Sequence, residues 1–189
     1  MSFLIKESYD LEIDLALTSI SEPNLMQFVN PLDLSLLKNS EFWNKVIKTW
    51  LIYIFNSSNC ICPNEIRKLN SFSIGLKFTD DITIKELNRK WLKKNYSTDV
   101  LSFPVLDPHM IYMEDNMVEL GDIVISVPTA KKQSLEHNHE LIIEFQWLVS
   151  HGLLHLLGWD HPDQKSLKEM LRFQDKLLKL SLAAHSSMI

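Results

Sequence analysis

Three histidines near the carboxyl end of the chain have a spacing suited to binding one metal ion. His151 and His155 are four residues apart in an apolar run typical of a helix, so their side chains lie on one face, a turn apart. His161 follows six residues later and would point to nearly the opposite side of a continuous helix. The helix must therefore end between His155 and His161 if the three imidazoles are to meet.

Gly158 and Pro162 provide that helix end. Glycine adopts the left-handed conformation that commonly terminates helices, and proline cannot continue one. Two of the four glycines of the chain, Gly152 and Gly158, fall within residues 151–161. Three neutral imidazoles suit Zn²⁺ or another first-row ion and leave a fourth coordination position open, which is the pattern of catalytic zinc. Such an ion lowers the pKa of a bound water towards about 7 and polarises a phosphoryl or carbonyl oxygen.

The same spacing occurs in the zinc-peptidase signature HExxHxxGxxH. A peptidase needs glutamate at the second position as its general base, whereas this chain has Gly152 there, so the sequence disfavours a peptidase. Asp160 is the nearest acidic residue and the candidate catalytic residue. Its carboxylate could orient a ligand histidine or accept a proton, or it could cap its own turn, and both roles stay open. His137 and His139 lie in a polar stretch and are expected to be exposed.

Hydrophobic patterns predict the elements that position these residues. They indicate an α+β fold with a single mixed β-sheet of about four strands, packed with about five helices. Residues Thr18 to Ser40 contain two prolines and several serines and asparagines, and are predicted to form an insertion or lid. The predicted strands are 11–17, 72–78, 100–105 and 122–127, and the predicted helices are 40–56, 82–94, one beginning at 128, 140–157 and 164–182.

Length and composition fit one soluble domain. The 189 residues include 19 basic and 24 acidic side chains, a net charge of −5, and 46% hydrophobic residues, which predicts one globular domain. With the three histidines, we expect a single metal-dependent hydrolase domain over residues 1–189. No uncharged apolar run reaches about 18 residues, and the acidic amino terminus does not resemble a signal peptide. A cytoplasmic protein without a membrane partner is therefore expected. The net acidity argues against broad charge-driven binding of nucleic acid but permits a local basic patch.

Three segments resemble the YbeY family of ribosomal RNA maturation factors. Residues 151–161 are similar to its HGxLHLxG[YW]DH signature, residues 97–104 to T[DN]VLSFP, and residues 120–126 to LGDIxIS, in the same order and spacing. The similarity extends over about 11–180, apart from 18–40.

This resemblance implies a metal-dependent, single-strand-specific endoribonuclease that acts in processing of small-subunit ribosomal RNA and in ribosome quality control. By motif position, it implies one Zn²⁺ per chain, held by His151, His155 and His161. The implied partners are single-stranded RNA, ribosomal RNA in particular, and the small ribosomal subunit.

The chain departs from the family in the LNxx[YF]R segment, where Leu92 stands in place of the arginine. A guanidinium there would bind phosphate and stabilise charge in the transition state. Lys85, Arg89 and Lys93 recur at four-residue spacing nearby and are predicted to contact RNA phosphates, the alternative being a solvated helix face. Trp91 could stack on a base, but a core position is the commoner role of tryptophan and is the one expected.

Two other functions are consistent with these residues. One is a non-catalytic ribosome assembly factor in which the metal ties the helix end to the following loop, and the loss of the arginine at Leu92 favours it. The other is a metal-dependent hydrolase of a different substrate.

Overall fold

The computed structural model describes residues 11–106 and 117–186, with side chains up to residue 182. Within these ranges the chain forms one four-stranded sheet and eight helices, which is the predicted α+β class. None of the helices in the described ranges combines the length and apolar character that crossing a bilayer requires. In chain order the elements are β1 (Glu12–Ser19), α1 (Glu22–Leu25), α2 (Pro31–Leu37), α3 (Ser40–Asn56), α4 (Asn64–Arg67), β2 (Ser71–Thr79), α5 (Asp81–Leu92), β3 (Val100–Pro104), β4 (Val118–Ser126), α6 (Val127–Glu136), α7 (Leu141–Leu156) and α8 (Gln164–Ser186).

The sheet is mixed, as predicted, with strand order β1-β2-β4-β3. Strands β1, β2 and β4 run parallel, and β3 pairs antiparallel with β4 at one edge. A bulge at Leu120 precedes Gly121, whose φ is +123°. A Cβ at Gly121 would lie 2.1 Å from the carbonyl oxygen of Phe103, so only glycine lets β3 pair this closely with β4.

The two faces of the sheet carry different helices. Gly152 of α7 contacts Ile123, whereas Val124 packs with Ile84 of α5. Neighbouring residues of a strand point to opposite faces, so α7 and α5 cover opposite sides of β4. The larger hydrophobic core lies on the α7 side.

The predicted number of helices, about five, is too low. The three helices that the hydrophobic pattern does not predict are α1, α2 and α4, with 4, 7 and 4 residues. Helices this short do not complete enough turns to show a 3.6-residue apolar period. Their signals are instead local, as at α2, where the Asn30 side chain accepts a hydrogen bond from the amide of Asp33.

The segment Thr18 to Ser40, predicted as an insertion or lid, packs as part of the core. It contains the end of β1, the helices α1 and α2, and the first residue of α3. Four of its apolar side chains are buried, whereas Met26 and Leu32 are exposed, and the interpretation of the segment as an insertion or lid stays a prediction. The buried residues of the segment are Leu25, Val29, Leu34 and Leu37.

Candidate metal centre

The end of α7 brings the three candidate ligands together. Helix α7 ends at Leu156, and Gly158 follows with a φ of +98°, as its predicted role requires. The amide of Gly158 donates to the carbonyl oxygen of His155 at 3.0 Å, and the amide of Trp159 donates to that of Leu154 at 3.0 Å. These bonds close the helix and turn the chain back, so that His161 returns to the face that carries His155.

The three half-buried imidazoles form a compact cluster. The ring centroid of His151 lies 4.7 Å from that of His155 and 5.4 Å from that of His161, and the other two rings are 5.2 Å apart. One nitrogen of each ring lies within 4.8 Å of those of the other two. The structure therefore brings together all three residues that the sequence singled out as metal ligands.

Gln174 of α8 orients the ring of His151. Its Oε1 lies 3.0 Å from His151 Nδ1, while its Nε2 donates to the carbonyl oxygen of Trp147 and to Ser150 Oγ. Because these two contacts fix the direction of the buried amide, His151 Nδ1 must be the donor to Oε1. The Nε2 of a neutral His151 then carries the lone pair and faces the cluster.

The backbone of Trp159 orients His155 in the same way. His155 Nδ1 donates to the carbonyl oxygen of Trp159 at 2.8 Å. Trp159 is itself anchored, because its indole nitrogen donates to the sulfur of buried Cys60 at 3.2 Å and its ring packs on Phe173. The neutral ring of His155 therefore also presents its Nε2 lone pair.

The orientations of His151 and His155 direct two nitrogen lone pairs at one position, where a cation would bind. The Nε2 atoms of His151 and His155 are 3.1 Å apart, and neither has a proton to give the other. Two lone pairs at this distance repel unless a positive charge lies between them. With His161 alongside, the donor set is the three-imidazole set that Zn²⁺ and similar ions prefer, so the residues present fit a metal ion.

Burial is the largest influence on the protonation of the cluster. It lowers the pKa of both His151 and His155 below the ordinary value. The hydrogen bond that His151 donates to Gln174 and the negative charge of Asp99 partly raise the pKa of His151. Asp99 immediately precedes β3 and is held there by Gln133, whose Nε2 donates to its Oδ2 at 2.9 Å. The sequence assigns neither Gln174 nor Asp99 a role at this site, since each lies more than twenty residues from His151.

The affinity for Zn²⁺ is expected to decrease as the pH falls, because protons then compete with the ion for imidazole lone pairs. Burial lowers the pKa of His151 and His155, so this competition begins at a lower pH than for free histidine. Zinc titrations between about pH 7.5 and about pH 5.5 measure the effect. An affinity that does not change over this range would contradict imidazole ligation.

Replacing Gln174 by leucine is expected to lower the Zn²⁺ affinity by about 10–100-fold, because His151 loses the acceptor that fixes its ring. Gln174→Glu keeps an acceptor at Nδ1 and should retain most of the affinity. Calorimetric titration measures both variants, with the exposed Gln164→Leu as the matched control. Equal losses in the leucine and glutamate variants would show that Gln174 acts only through packing.

Gly152 explains why the peptidase glutamate has no place here. A Cβ on this residue would lie 2.7 Å from Ile123 Cγ2 and 3.1 Å from Ser102 Oγ. Helix α7 therefore packs directly on β3 and β4, and this contact sets the height of His151 and His155 above the sheet.

Asp160 lies beside the cluster on the exposed turn. Its Oδ1 accepts a hydrogen bond from the amide of His161 at 2.8 Å, so the carboxylate stabilises the turn that returns His161 to the site. It is also close enough to His155 to raise the pKa of that ring, although burial has the larger and opposite effect.

The candidate RNA-binding residues lie on α5 and just after it. Lys85, Arg89 and Lys93 are all exposed, but Lys93 lies just after the helix and adopts a left-handed conformation with φ of 61°. Arg89, Lys90 and Lys93 line a groove of about 590 Å³, and Lys85 is not part of its lining. The prediction that the three residues share one helical face is therefore wrong for Lys93.

Trp91 and Leu92 are both on the surface. Trp91 is 59% exposed, so the expected core position is wrong, and the Nζ of Lys90 lies 5.2 Å from its ring centroid. Its ring meets Phe103 of β3 edge to face at 6.1 Å. Leu92, which stands where the family arginine is expected, is 52% exposed.

Comparison with known proteins gives consistent results. Residues 37–181 match the model of the family described as "Endoribonuclease YbeY". The chain is 46% identical over 172 residues to a protein named "Endoribonuclease YbeY" from Prochlorococcus marinus strain SARG, with 91% of this chain and 88% of the relative covered. It is 43% identical to the protein of that name from Prochlorococcus marinus strain MIT 9313, with 98% and 99% covered.

A solved structure shares the fold. The solution structure of TM1509 from Thermotoga maritima superposes with a TM-score of 0.53 over 92% of this chain and 93% of the other, at 22% identity. The three histidines, the three motif segments and the relatives agree, and they confirm the resemblance seen in the sequence. The chain belongs to the YbeY endoribonuclease family.

Proposed function

We propose that this protein is a metal-dependent endoribonuclease that cleaves single-stranded RNA in the maturation of small-subunit ribosomal RNA and in ribosome quality control. The observation that carries the proposal is the 3.1 Å approach of the two Nε2 atoms of His151 and His155. Family membership supports the nuclease activity. Zn²⁺ is the proposed ion, because three imidazoles are a common catalytic zinc set.

His151, His155 and His161 would hold the ion, and Gln174 and the Trp159 carbonyl would keep two of these rings in place. When bound, the ion supplies an activated water and charge stabilisation at the phosphoryl oxygen. The half-buried histidines partly exclude bulk water, which strengthens electrostatic interactions at the site. Asp160, exposed beside His161, is the proposed proton acceptor from the attacking water.

Edge strand β3 separates the proposed catalytic site from the proposed RNA-binding groove. The groove formed by Arg89, Lys90 and Lys93 belongs to α5, which covers the sheet face opposite to α7. The connection from α5 to β3 runs from Lys93 to Asp99, and Asp99 is close enough to His151 to influence its pKa. A bound strand would therefore pass around the β3 edge, which a flexible single strand can do and a stiff duplex cannot.

Chelation and reloading test the nuclease proposal. Purified protein stripped of metal should not cleave, and addition of one equivalent of Zn²⁺ should restore internal cleavage of a single-stranded fragment of small-subunit ribosomal RNA. The same sequence annealed to its complement should stay intact. Absence of cleavage above background by the reloaded protein, with the ion shown to be bound, would contradict the proposal.

Replacing Arg89 and Lys93 together by alanine is expected to weaken RNA binding and to reduce its dependence on salt. The slope of log K against log [salt] should become shallower by about 1.4, because each phosphate contact to a single strand contributes about 0.7. Fluorescence anisotropy of a labelled oligonucleotide measures this slope. The double variant Lys165→Ala/Lys168→Ala, which removes two exposed lysines of α8, is the matched control. An unchanged slope would exclude both residues as phosphate contacts.

One observation favours a second candidate function, a non-catalytic ribosome assembly factor. Leu92 is solvent-exposed at the position of the family arginine, so no guanidinium at that position can stabilise a phosphoryl transition state. In this case the reloaded protein should bind ribosomal RNA without cleaving it. The chelation experiment above distinguishes the two functions.

We also propose, from the sequence, that residues 1–189 form one domain, that the protein is cytoplasmic, and that the small ribosomal subunit is its partner.

A further inference from the structure

A second cluster of metal-binding side chains lies at the junction of α6 and α7. Glu144, in the first turn of α7, has a side chain that is only 2% exposed. His139 Nε2 lies 2.5 Å from its Oε2, and His137 Nδ1 lies 3.4 Å from the same oxygen. One donor atom from each of the three residues lies within 4.8 Å of the others.

The turn between α6 and α7 brings these three side chains together. The amide of His137 donates to the carbonyl oxygen of Gln133 at 2.8 Å, and the amide of His139 donates to that of Ser134 at 3.0 Å. Between them Asn138 adopts a left-handed conformation with φ of 56°. The two imidazoles consequently converge on Glu144, with His139 only 28% exposed. The sequence-based expectation that both histidines are exposed is therefore wrong for His139.

A buried carboxylate needs a positive partner. Moving an unpaired carboxylate out of water costs several kcal/mol, and a neutral imidazole offers only one proton. Two imidazoles and one carboxylate are also a common protein donor set for Zn²⁺ and other first-row ions. His137 is 58% exposed, and His139 lines a groove of about 660 Å³ between α2, α6 and α7, so an ion could reach the cluster from solvent.

We propose that His137, His139 and Glu144 form a second binding site for a divalent first-row ion such as Zn²⁺. The ion would take the place of the hydrogen bond between His139 and Glu144. In a neutral His139 the proton on Nε2 would pass through solvent to Nδ1, so that Nε2 offers its lone pair to the ion and the ring stays neutral. Zinc bonds of about 2.0–2.2 Å at tetrahedral angles place neighbouring ligand atoms about 3.4 Å apart, so the His139–Glu144 pair would have to open by about 0.9 Å. His137 Nδ1 already lies 3.4 Å from the same carboxylate oxygen.

The distance between the two clusters defines the role of this site. Glu144 precedes His151 by seven residues of the same helix, which corresponds to about 10 Å along its axis. The two ions of a two-metal catalytic centre are about 3.5–4 Å apart. An ion at Glu144 would therefore not share a substrate phosphate with the first ion. It would fix the α6–α7 turn and the start of the helix that carries His151 and His155.

The number of ions bound per chain tests this proposal, and the test does not depend on nuclease activity. The full-length protein, stripped of metal, is titrated with Zn²⁺ by calorimetry and with Co²⁺ by visible absorption, whose intensity reports low-coordinate nitrogen and oxygen sites. Four proteins are compared: the unmodified chain, His155→Ala, His137→Ala and the double variant. Glu136→Gln, which alters an exposed glutamate one residue before His137, is the matched control.

We expect two ions in the unmodified chain and in Glu136→Gln, one in each single histidine variant, and none in the double variant. His137 is largely exposed, so its replacement should leave the fold intact even if a change at Glu144 does not. An ion that survives in His155→Ala and disappears in the double variant supports this site even if the first site fails. A single ion lost in His155→Ala, or two ions retained in His137→Ala, would overturn the proposal and leave the cluster as a hydrogen-bonded contact between helices.

Discussion

Replacing His155 by alanine is expected to lower the rate of metal-dependent RNA cleavage by about 1,000-fold. His155 offers its Nε2 at 3.1 Å from that of His151, and its loss leaves only two of the three candidate ligands to hold an ion. A bound ion contributes several kcal/mol of charge stabilisation, and about 4 kcal/mol corresponds to this factor in rate. Single-turnover cleavage of a single-stranded oligonucleotide measures the change.

Two controls separate loss of the ion from loss of the fold in His155→Ala. The variant should keep its helical circular dichroism, and Lys168→Ala, on the exposed surface of α8, should cleave at the rate of the unmodified chain. If His155→Ala and the unmodified chain give identical background cleavage, the enzyme proposal is wrong and the assembly-factor function takes its place. If His155→Ala cleaves at full rate although the ion of the first cluster has been lost, that ion has no catalytic role.

Replacing Gly152 by glutamate is expected to lower the free energy of unfolding by at least about 3 kcal/mol. The first added carbon would lie 2.7 Å from Ile123 Cγ2, inside the core, and overpacking of this kind costs about 1–3 kcal/mol. Burial of a carboxylate between the helix and the sheet adds to this cost. The variant restores the peptidase signature in sequence, but we expect no peptidase activity, because the helix cannot present the glutamate without moving away from the sheet.

Urea denaturation in the presence of a chelator measures the stability of Gly152→Glu without the contribution of a bound ion. Gly158→Ala is the matched control, because a Cβ there meets nothing within 4 Å and only the positive φ of +98° is unfavourable. Its cost should be about 1–2 kcal/mol. Equal stability of Gly152→Glu and the unmodified chain would show that α7 does not need to approach β3 and β4 so closely.

The elements that carry the candidate metal centre are largely predictable from sequence, because their signals are local. Apolar alternation predicts β1 and β2, and helical spacing together with a terminal glycine predicts the end of α7. The same alternation does not predict the start of β4, since the bulge at Leu120 and the glycine after it interrupt the pattern. The short helices α1, α2 and α4 carry no periodic signal for the reason given above.

Contacts between distant residues could not be predicted from these patterns. Gln174 lies on α8, 23 residues after His151, and nothing in the spacing of α8 distinguishes a glutamine that orients a ligand from any other buried amide. Trp91 follows Ile84 and Leu87 on the face of α5 that packs on the sheet, so the pattern favours a core position. The last turn of α5 borders an open groove that Gly75 and Asp122 also line, so Trp91 remains exposed although its ring meets that of Phe103.

The three candidate ligands all fall within residues 151–161, whereas Gln174, which orients the ring of His151, belongs to α8. Closing so short a stretch of chain around an ion costs little configurational entropy. An ion held there would therefore take its protein ligands from one short stretch of chain, and α8 would add the acceptor that fixes the ring of His151.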